Sequence, residues 1–161
     1  YCEDDTKFKC TARNMENQSI CKVLGVDPGA VRVGLALSDE LQMTCRPLCV
    51  LDRKKPDPAG RVVEIAVREK AKIIVVGLPL NSDGSEGSSA IKARWFAERL
   101  NLKASSLGIE VLLWDERYSS AEASALQHEA GTWRKTKGIV DDWAAALILQ
   151  NWLDAHSVSH K

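Results

Sequence analysis

The apolar positions of this chain fall into short runs separated by turn formers. Residues 23–26 are apolar and stop at Asp27. Pro28-Gly29 then turns the chain, and Val33, Leu35 and Leu37 alternate with Gly34, Ala36 and Ser38. This pattern predicts two β-strands joined by a short turn. Residues 42–51 predict a third strand, and Pro47 within it requires an edge position because proline donates no ladder hydrogen bond. The three strands should form an antiparallel meander.

The pattern then changes period. Asp57-Pro58 reads as an N-cap followed by the first helical residue, and Val62, Ile65, Ala66 and Glu69 follow at helical spacing. Residues 73–76, Ile-Ile-Val-Val, predict a strand covered on both faces. It ends in Gly77-Leu78-Pro79, and a polar loop over 81–89 leads to a helix expected to bury Ile91, Trp95, Phe96 and Leu100. Residues 111–114 predict the last strand, ending in Asp115-Glu116-Arg117. Ser119 with Glu122 forms a capping box for a helix that Gly131 ends. Asp141 or Asp142 then opens a final helix over 144–155, apolar round most of its circumference and therefore buried. The order β-β-β-α-β-α-β-α-α predicts an α/β domain with a mixed five-stranded sheet, three strands antiparallel and two parallel, with helices on both faces.

Composition narrows the class. A chain of 161 residues that is 45% hydrophobic and 27% charged suits one globular domain with a real core. Lys+Arg and Asp+Glu are both 22, so any polyanion site must be a local patch. The five cysteines are odd in number, none forms Cys-x-x-Cys, and the histidines lie far from them in sequence. These features argue against zinc and a disulfide framework, and for reduced thiols in the cytoplasm. Cys45 and Cys49 read as small buried hydrophobes. No apolar run reaches the ~20 residues that span a bilayer, so no membrane role is expected. Residues 1–20 are polar and aperiodic and read as a disordered extension. An organelle interior is the alternative compartment if a targeting segment has been removed. The domain is expected over 21–155, with a tail at 156–161.

Three acidic clusters stand at element ends: Asp27, Asp115-Glu116, and Asp141-Asp142. Parallel strands gather their carboxyl ends on one sheet edge, where such folds bind ligands. Carboxylates gathered there repel one another, and divalent cations relieve the repulsion. Hard oxygen donors favour Mg2+ or Mn2+, which can activate water for phosphodiester cleavage. Each acid also has a plainer reading. Asp27 can be a turn former, Asp141 a helix cap, and Asp115-Glu116-Arg117 a solvated loop. Arg134, Lys135 and Lys137 can be solvated too. Trp95, Trp114 and Trp152 read as core, as do Trp133 and Trp143.

Four ordered motifs carry a resemblance. They are Gly25-Val26-Asp27-Pro28-Gly29 with Gly34; Val76-Gly77-Leu78-Pro79-Leu80-Asn81 with Asp83-Gly84; Trp114-Asp115-Glu116-Arg117-Tyr118-Ser119-Ser120; and Asp141 with Ala144-Ala145 and Ile148-Leu149. Together they resemble the YqgF/RuvX family of Holliday-junction-resolvase-like proteins. The resemblance implies an RNase H-like fold and a metal-dependent nuclease. It also implies a structured RNA substrate at the 5′ end of precursor small-subunit rRNA, or branched DNA, acted on by a monomer or homodimer. Carried over by position, Asp27, Glu116 and Asp141 match the catalytic metal ligands, with Asp115 and Asp142 in secondary places. Arg117 and the Arg134/Lys135/Lys137 loop would hold backbone phosphates, and Asn81 and Gly84 would line the groove. One departure from related resolvases is the strand ending in Gly77, which carries no acid. Glu116 comes from the next strand out, two strand spacings or ~9.6 Å from the first strand, so it must lean inward or act through water.

Two other classes remain open at this level. The hairpin glycines also resemble the phosphate loop of actin-like ATPases, which close two such domains round ATP. A non-catalytic RNA-binding assembly module would keep the fold and the neutral charge.

Overall fold

A computed structural model describes residues 21–116 and 139–157. Strands β1 (Lys22–Pro28), β2 (Arg32–Ser38) and β3 (Cys45–Asp52) form the meander; α1 (Pro58–Arg68) leads to β4 (Ala71–Leu78); α2 (Ser88–Ala104) leads to β5 (Glu110–Asp115); and α3 (Ile139–Ser157) closes the domain. The sheet order is β3-β2-β1-β4-β5. β1 and β2 pair antiparallel, as do β2 and β3, while β4 lies parallel to both β1 and β5. Pro47 sits on the edge strand, as its missing N–H demands. The predicted helix over 119–131 and the basic loop after it lie outside the described residues.

Alternation along the strands decides which helix each residue meets. Leu24, Val26, Ile74 and Val76 point to α1 and α2 and join the larger core cluster. Val23, Ala36 and Val75 point the other way and pack under α3 with Ala145, Leu149 and Trp152. β1 is buried on both faces from Val23 to Val26, as a central strand must be. Its register against β4 shifts between Lys22 and Val23. There the buried Ser38 hydroxyl accepts the Val23 N–H at 2.7 Å, so the displaced backbone donor is not left unsatisfied.

Caps follow the sequence where the chemistry is local. Asp57 accepts the Gly60 N–H at 3.1 Å, and Pro58 is the first residue of α1. α3, in contrast, begins at Ile139, so Asp141 and Asp142 lie within its first turn instead of opening it.

The expectation for α2 holds at Phe96 and Leu100 and fails at Ile91 and Trp95. Trp95 is 65% exposed and Ile91 42% exposed. The face that meets the sheet is built from Ala90, Ala93, Phe96, Ala97, Leu100 and Ala104. These mostly small side chains let the helix lie close to the strands. Ile91 and Trp95 fall on the outer side of that stripe. Trp152 is core, and Trp114 and Trp143 pack partly buried against the α3 cluster. Cys45 is also enclosed: its Sγ lies 3.2 Å from the Ala146 carbonyl, and burial pushes its thiol up to about 12. No helix of the described residues is long and apolar enough to cross a membrane.

Packing under α3 is tight at Gly25. A Cβ added there would sit 2.7 Å from Leu149 Cβ and 3.0 Å from the Ala145 carbonyl oxygen. Gly25→Ala should therefore lift α3 and lower stability by ~2 kcal/mol, as overpacking does. Urea denaturation checks this; an unchanged midpoint would mean that the helix is not seated on β1 as described.

Candidate active site

Asp27 is the last but one residue of β1, opposite Gly34 of β2. The buried run before it anchors the backbone, and the side chain falls on the α3 side of the sheet, in phase with Val23 and Gly25. Glu116 follows directly on β5, in phase with Trp114.

The two acids converge in spite of the intervening strand. A Cβ on Gly77 would lie 2.5 Å from Glu116 Oε1 and 2.5 Å from Ile148 Cδ1. The Glu116 carboxylate thus leans inward over β4 and occupies the space left by the missing side chain. Asp27 and Glu116 line one hollow of about 180 Å³, with Trp114, Ala144, Ile148 and Asn151 among its other walls. The Glu116 carboxyl is pushed from an ordinary 4.5 up to about 7, first by burial, then by the negative charges of Asp27 and Asp115. Asp115 acts on the site through this charge.

Asp141 lies three residues before Ala144, a wall of the hollow, on the helix that Gly25 admits to the sheet. The side chains of Asp141 and Asp142 are outside the described residues, as are Arg117, Arg134, Lys135 and Lys137. Asn81 and Gly84 do not line the hollow. Asn81 Nδ2 donates to Ser85 Oγ at 2.9 Å, and the Gly84 N–H donates to the Asn81 carbonyl at 2.9 Å. Their polar groups are engaged in closing the loop.

Three contributors escaped the sequence reading. Gly77 had a signal: a glycine where a related strand carries an acid invites the question of what fills its space. Asn151 had a weaker one, a polar residue in register with Ala144 and Ile148 on an apolar helix. Arg53 had none, since its role depends on distant partners. Its Nη1 donates to the Gly29 carbonyl at 2.6 Å, its N–H donates to the Val31 carbonyl at 3.0 Å, and its guanidinium stands 5.4 Å from the Phe96 ring centroid. It ties the turn after Asp27 to α2.

The strand order, with helices packed on both faces of the sheet, defines an RNase H-like fold. Thermus thermophilus RuvC has the same fold: the chain matches it with a TM-score of 0.56 at 18% identity, covering 85% of this chain and 96% of that one. RuvC in complex with a Holliday junction substrate matches at 0.55 and 20% identity over the same shares. Residues 21–155 match the model of the RuvX family, described as Holliday junction resolvase, and the chain belongs to that family. Its relatives include proteins named "Putative pre-16S rRNA nuclease". One from Anaeromyxobacter sp. (strain K) is 47% identical over 83% of this chain and 96% of its own length. One from Myxococcus xanthus is 41% identical over 84% and 89%.

The raised Glu116 value has a measurable consequence in metal-free protein. Below pH 4.5 the carboxyl is protonated whether the chain is folded or not, so its neutral form is fully compatible with the native state. As pH rises through about 7 the folded group must ionise beside Asp27, and that stability is lost. Glu116→Gln should gain nothing at the acid end and ~2 kcal/mol at alkaline pH, allowing for solvent screening. Urea midpoints of both proteins with EDTA across this pH range test it; a difference that does not vary with pH contradicts it.

Proposed function

We propose that this chain is a divalent-metal-dependent endonuclease that hydrolyses phosphodiester bonds in structured nucleic acid, with the 5′ end of precursor small-subunit rRNA as substrate. The observation that carries this reading is the convergence of Asp27 and Glu116 over Gly77. Two carboxylates share a half-buried hollow at the ligand-binding edge of the sheet, where burial first, and the charge of Asp27 after it, raises the Glu116 carboxyl. The names of the family and of its relatives point to the same chemistry.

The donor set fits a hard cation. Both side chains offer only carboxylate oxygens, the preference of Mg2+ and Mn2+. Asp27 and Glu116 would hold the ion, with Asp141 of the first turn of α3 as the third acid. When bound, such an ion supplies an activated water and neutralises charge on the phosphate oxygens. The chain's own part is to fix the carboxylates. The sheet holds the backbone of Asp27, Arg53 pins the turn beyond it, and Gly77 gives Glu116 its place. Trp114 and Ile148 form apolar walls beside the carboxylates. Arg117 with the Arg134/Lys135/Lys137 loop would supply phosphate contacts, which set register without reading sequence. Asp115 and Asp142 would act as secondary charges. Branched DNA is the second substrate to test, since the matched RuvC structure holds a Holliday junction.

The test is cleavage of a 5′-extended precursor rRNA hairpin and of a four-way DNA junction, each with Mg2+ or Mn2+. The wild-type chain should cut the RNA, and Asp27→Asn should lower the rate ~10³-fold, about 4 kcal/mol of barrier, while still binding it. Equal cutting by the two proteins would place the activity elsewhere. Cutting of the junction alone would replace the substrate.

A further inference from the structure

Helix α2 is apolar on two opposite faces. One, built from Ala90, Ala93, Phe96, Ala97, Leu100 and Ala104, is buried against the sheet. The other carries Ile91, Trp95 and Leu102, which are 42%, 65% and 79% exposed. Spacings of four and seven residues set these three in one line along the helix, on the side turned away from the sheet. A single exposed apolar residue is ordinary, but a line of three on one helix marks a contact surface. We propose that this outer face of α2 binds an unpaired flank of the nucleic-acid substrate, with Trp95 as the platform on which a base stacks and Lys92 and Arg99 as the cations that hold its phosphates. The choice of nucleic acid as the occupant rests on the nuclease reading above, to which it adds a second contact surface.

Charge selects the occupant. α2 holds Lys92, Arg94, Arg99 and Lys103 against one acid, Glu98. Two of these cations are engaged: Arg94 pairs with Glu86, and Lys103 Nζ lies 3.1 Å from Asp57 Oδ2. Arg99 is a more distant charge on the same Asp57. Among the described residues, neither the Lys92 nor the Arg99 side chain makes a hydrogen bond or an ion pair. Lys92 is three residues before Trp95 and Arg99 four after it, so both are its neighbours on the helix surface. They stand on the same flank of the apolar line, and Glu98 stands on the other.

A second copy of this chain does not suit the arrangement. Two α2 helices packed antiparallel about a two-fold axis would set the Lys92/Arg99 flank of one against the same flank of the other, and like charges repel. A polyanion that carries flat apolar groups does suit it. Unpaired bases stack on an indole whatever their sequence, and phosphates of the same strand meet the cations beside it. A paired base keeps its faces inside the duplex, so the surface selects single-stranded nucleic acid. α2 follows the loop that leaves the carboxyl end of β4 and packs on the face of the sheet opposite α3. The line of Ile91, Trp95 and Leu102 therefore lies away from Asp27 and Glu116. It holds a flank of the substrate and leaves the reacting bond alone.

Binding and cleavage test this separately. The probe is an unstructured oligo-uridine RNA of about twelve nucleotides, titrated with metal-free protein in EDTA between about 50 and about 200 mM salt, beside an RNA duplex of the same length. The wild type should prefer the single strand. Trp95→Ala should weaken that binding ~10-fold, and Trp95→Phe should retain most of it. Lys92→Gln combined with Arg99→Gln should lower the salt slope by about 1.4. All three residues are exposed, so urea midpoints should match wild type. A clear fall in the Trp95→Ala midpoint would show the face to be covered by another part of the chain and would overturn the proposal. Unchanged affinity in Trp95→Ala would overturn it too, as would a wild-type dimer in sedimentation that Trp95→Ala dissolves. With Mg2+ and a precursor hairpin bearing a single-stranded flank, Trp95→Ala should raise KM and leave kcat near wild type. If the wild type cuts and Trp95→Ala binds and cuts identically, the face falls and the nuclease stands. If the oligonucleotide binds with these signatures and no substrate is cut, hydrolysis falls and the face stands.

Discussion

On the α3 side of the sheet, β1 and β4 each present a glycine where a central strand would ordinarily carry a packed side chain. Gly25 lets the α3 backbone settle against β1, with the Ala145 carbonyl oxygen 3.0 Å from the nearest point a Cβ could occupy. Gly77 leaves a gap that Ile148 and the Glu116 carboxylate fill together. The site depends on this steric vacancy. With larger residues at either position, α3 would ride higher and Glu116 would be turned back toward its own strand. The charge arrangement is a consequence of packing: an acid from the outermost parallel strand reaches the neighbourhood of an acid on the central one.

Placing like charges together costs stability, and the protein bears that cost at one spot. Burial and the charges of Asp27 and Asp115 all act on Glu116 in the same direction. Close by, the elements that carry the acids are held by ordinary means. The Asp27 backbone is locked in the sheet, and the following turn is tied down by Arg53 and by its own Gly29–Asp27 bond. Rigid supports that hold carboxylates close together are what a cation-binding site requires before the cation arrives.

Much of the fold was legible because its signals are local. Pro47 marked the edge strand, Asp57-Pro58 marked the start of α1, and the unbroken run at 73–76 marked a strand covered on both faces. The face of α2 was partly legible: Phe96 and Leu100 meet the sheet as expected, but alanines at 90, 93, 97 and 104 complete that face and leave Ile91 and Trp95 outside it. The start of α3 was set late, at 144 with Asp141 or Asp142 as the cap, whereas the helix begins at Ile139. The site was half legible. The acids stand out at strand and helix ends, but the inward lean of Glu116 depends on Gly77, forty residues away in the chain. Arg53 acts through Gly29, Val31 and Phe96, partners that only the fold brings near.

Asp27 and Glu116 are proposed to share one divalent cation. The most direct measurement is a crystal structure grown with Mn2+, using its anomalous scattering to place the ion. The account predicts a peak in the hollow beneath α3, within coordination distance of carboxylate oxygens from both residues and with Asp141 turned toward it. A well-ordered, Mn2+-saturated crystal with no peak there, or with the two carboxylates turned apart, would contradict it.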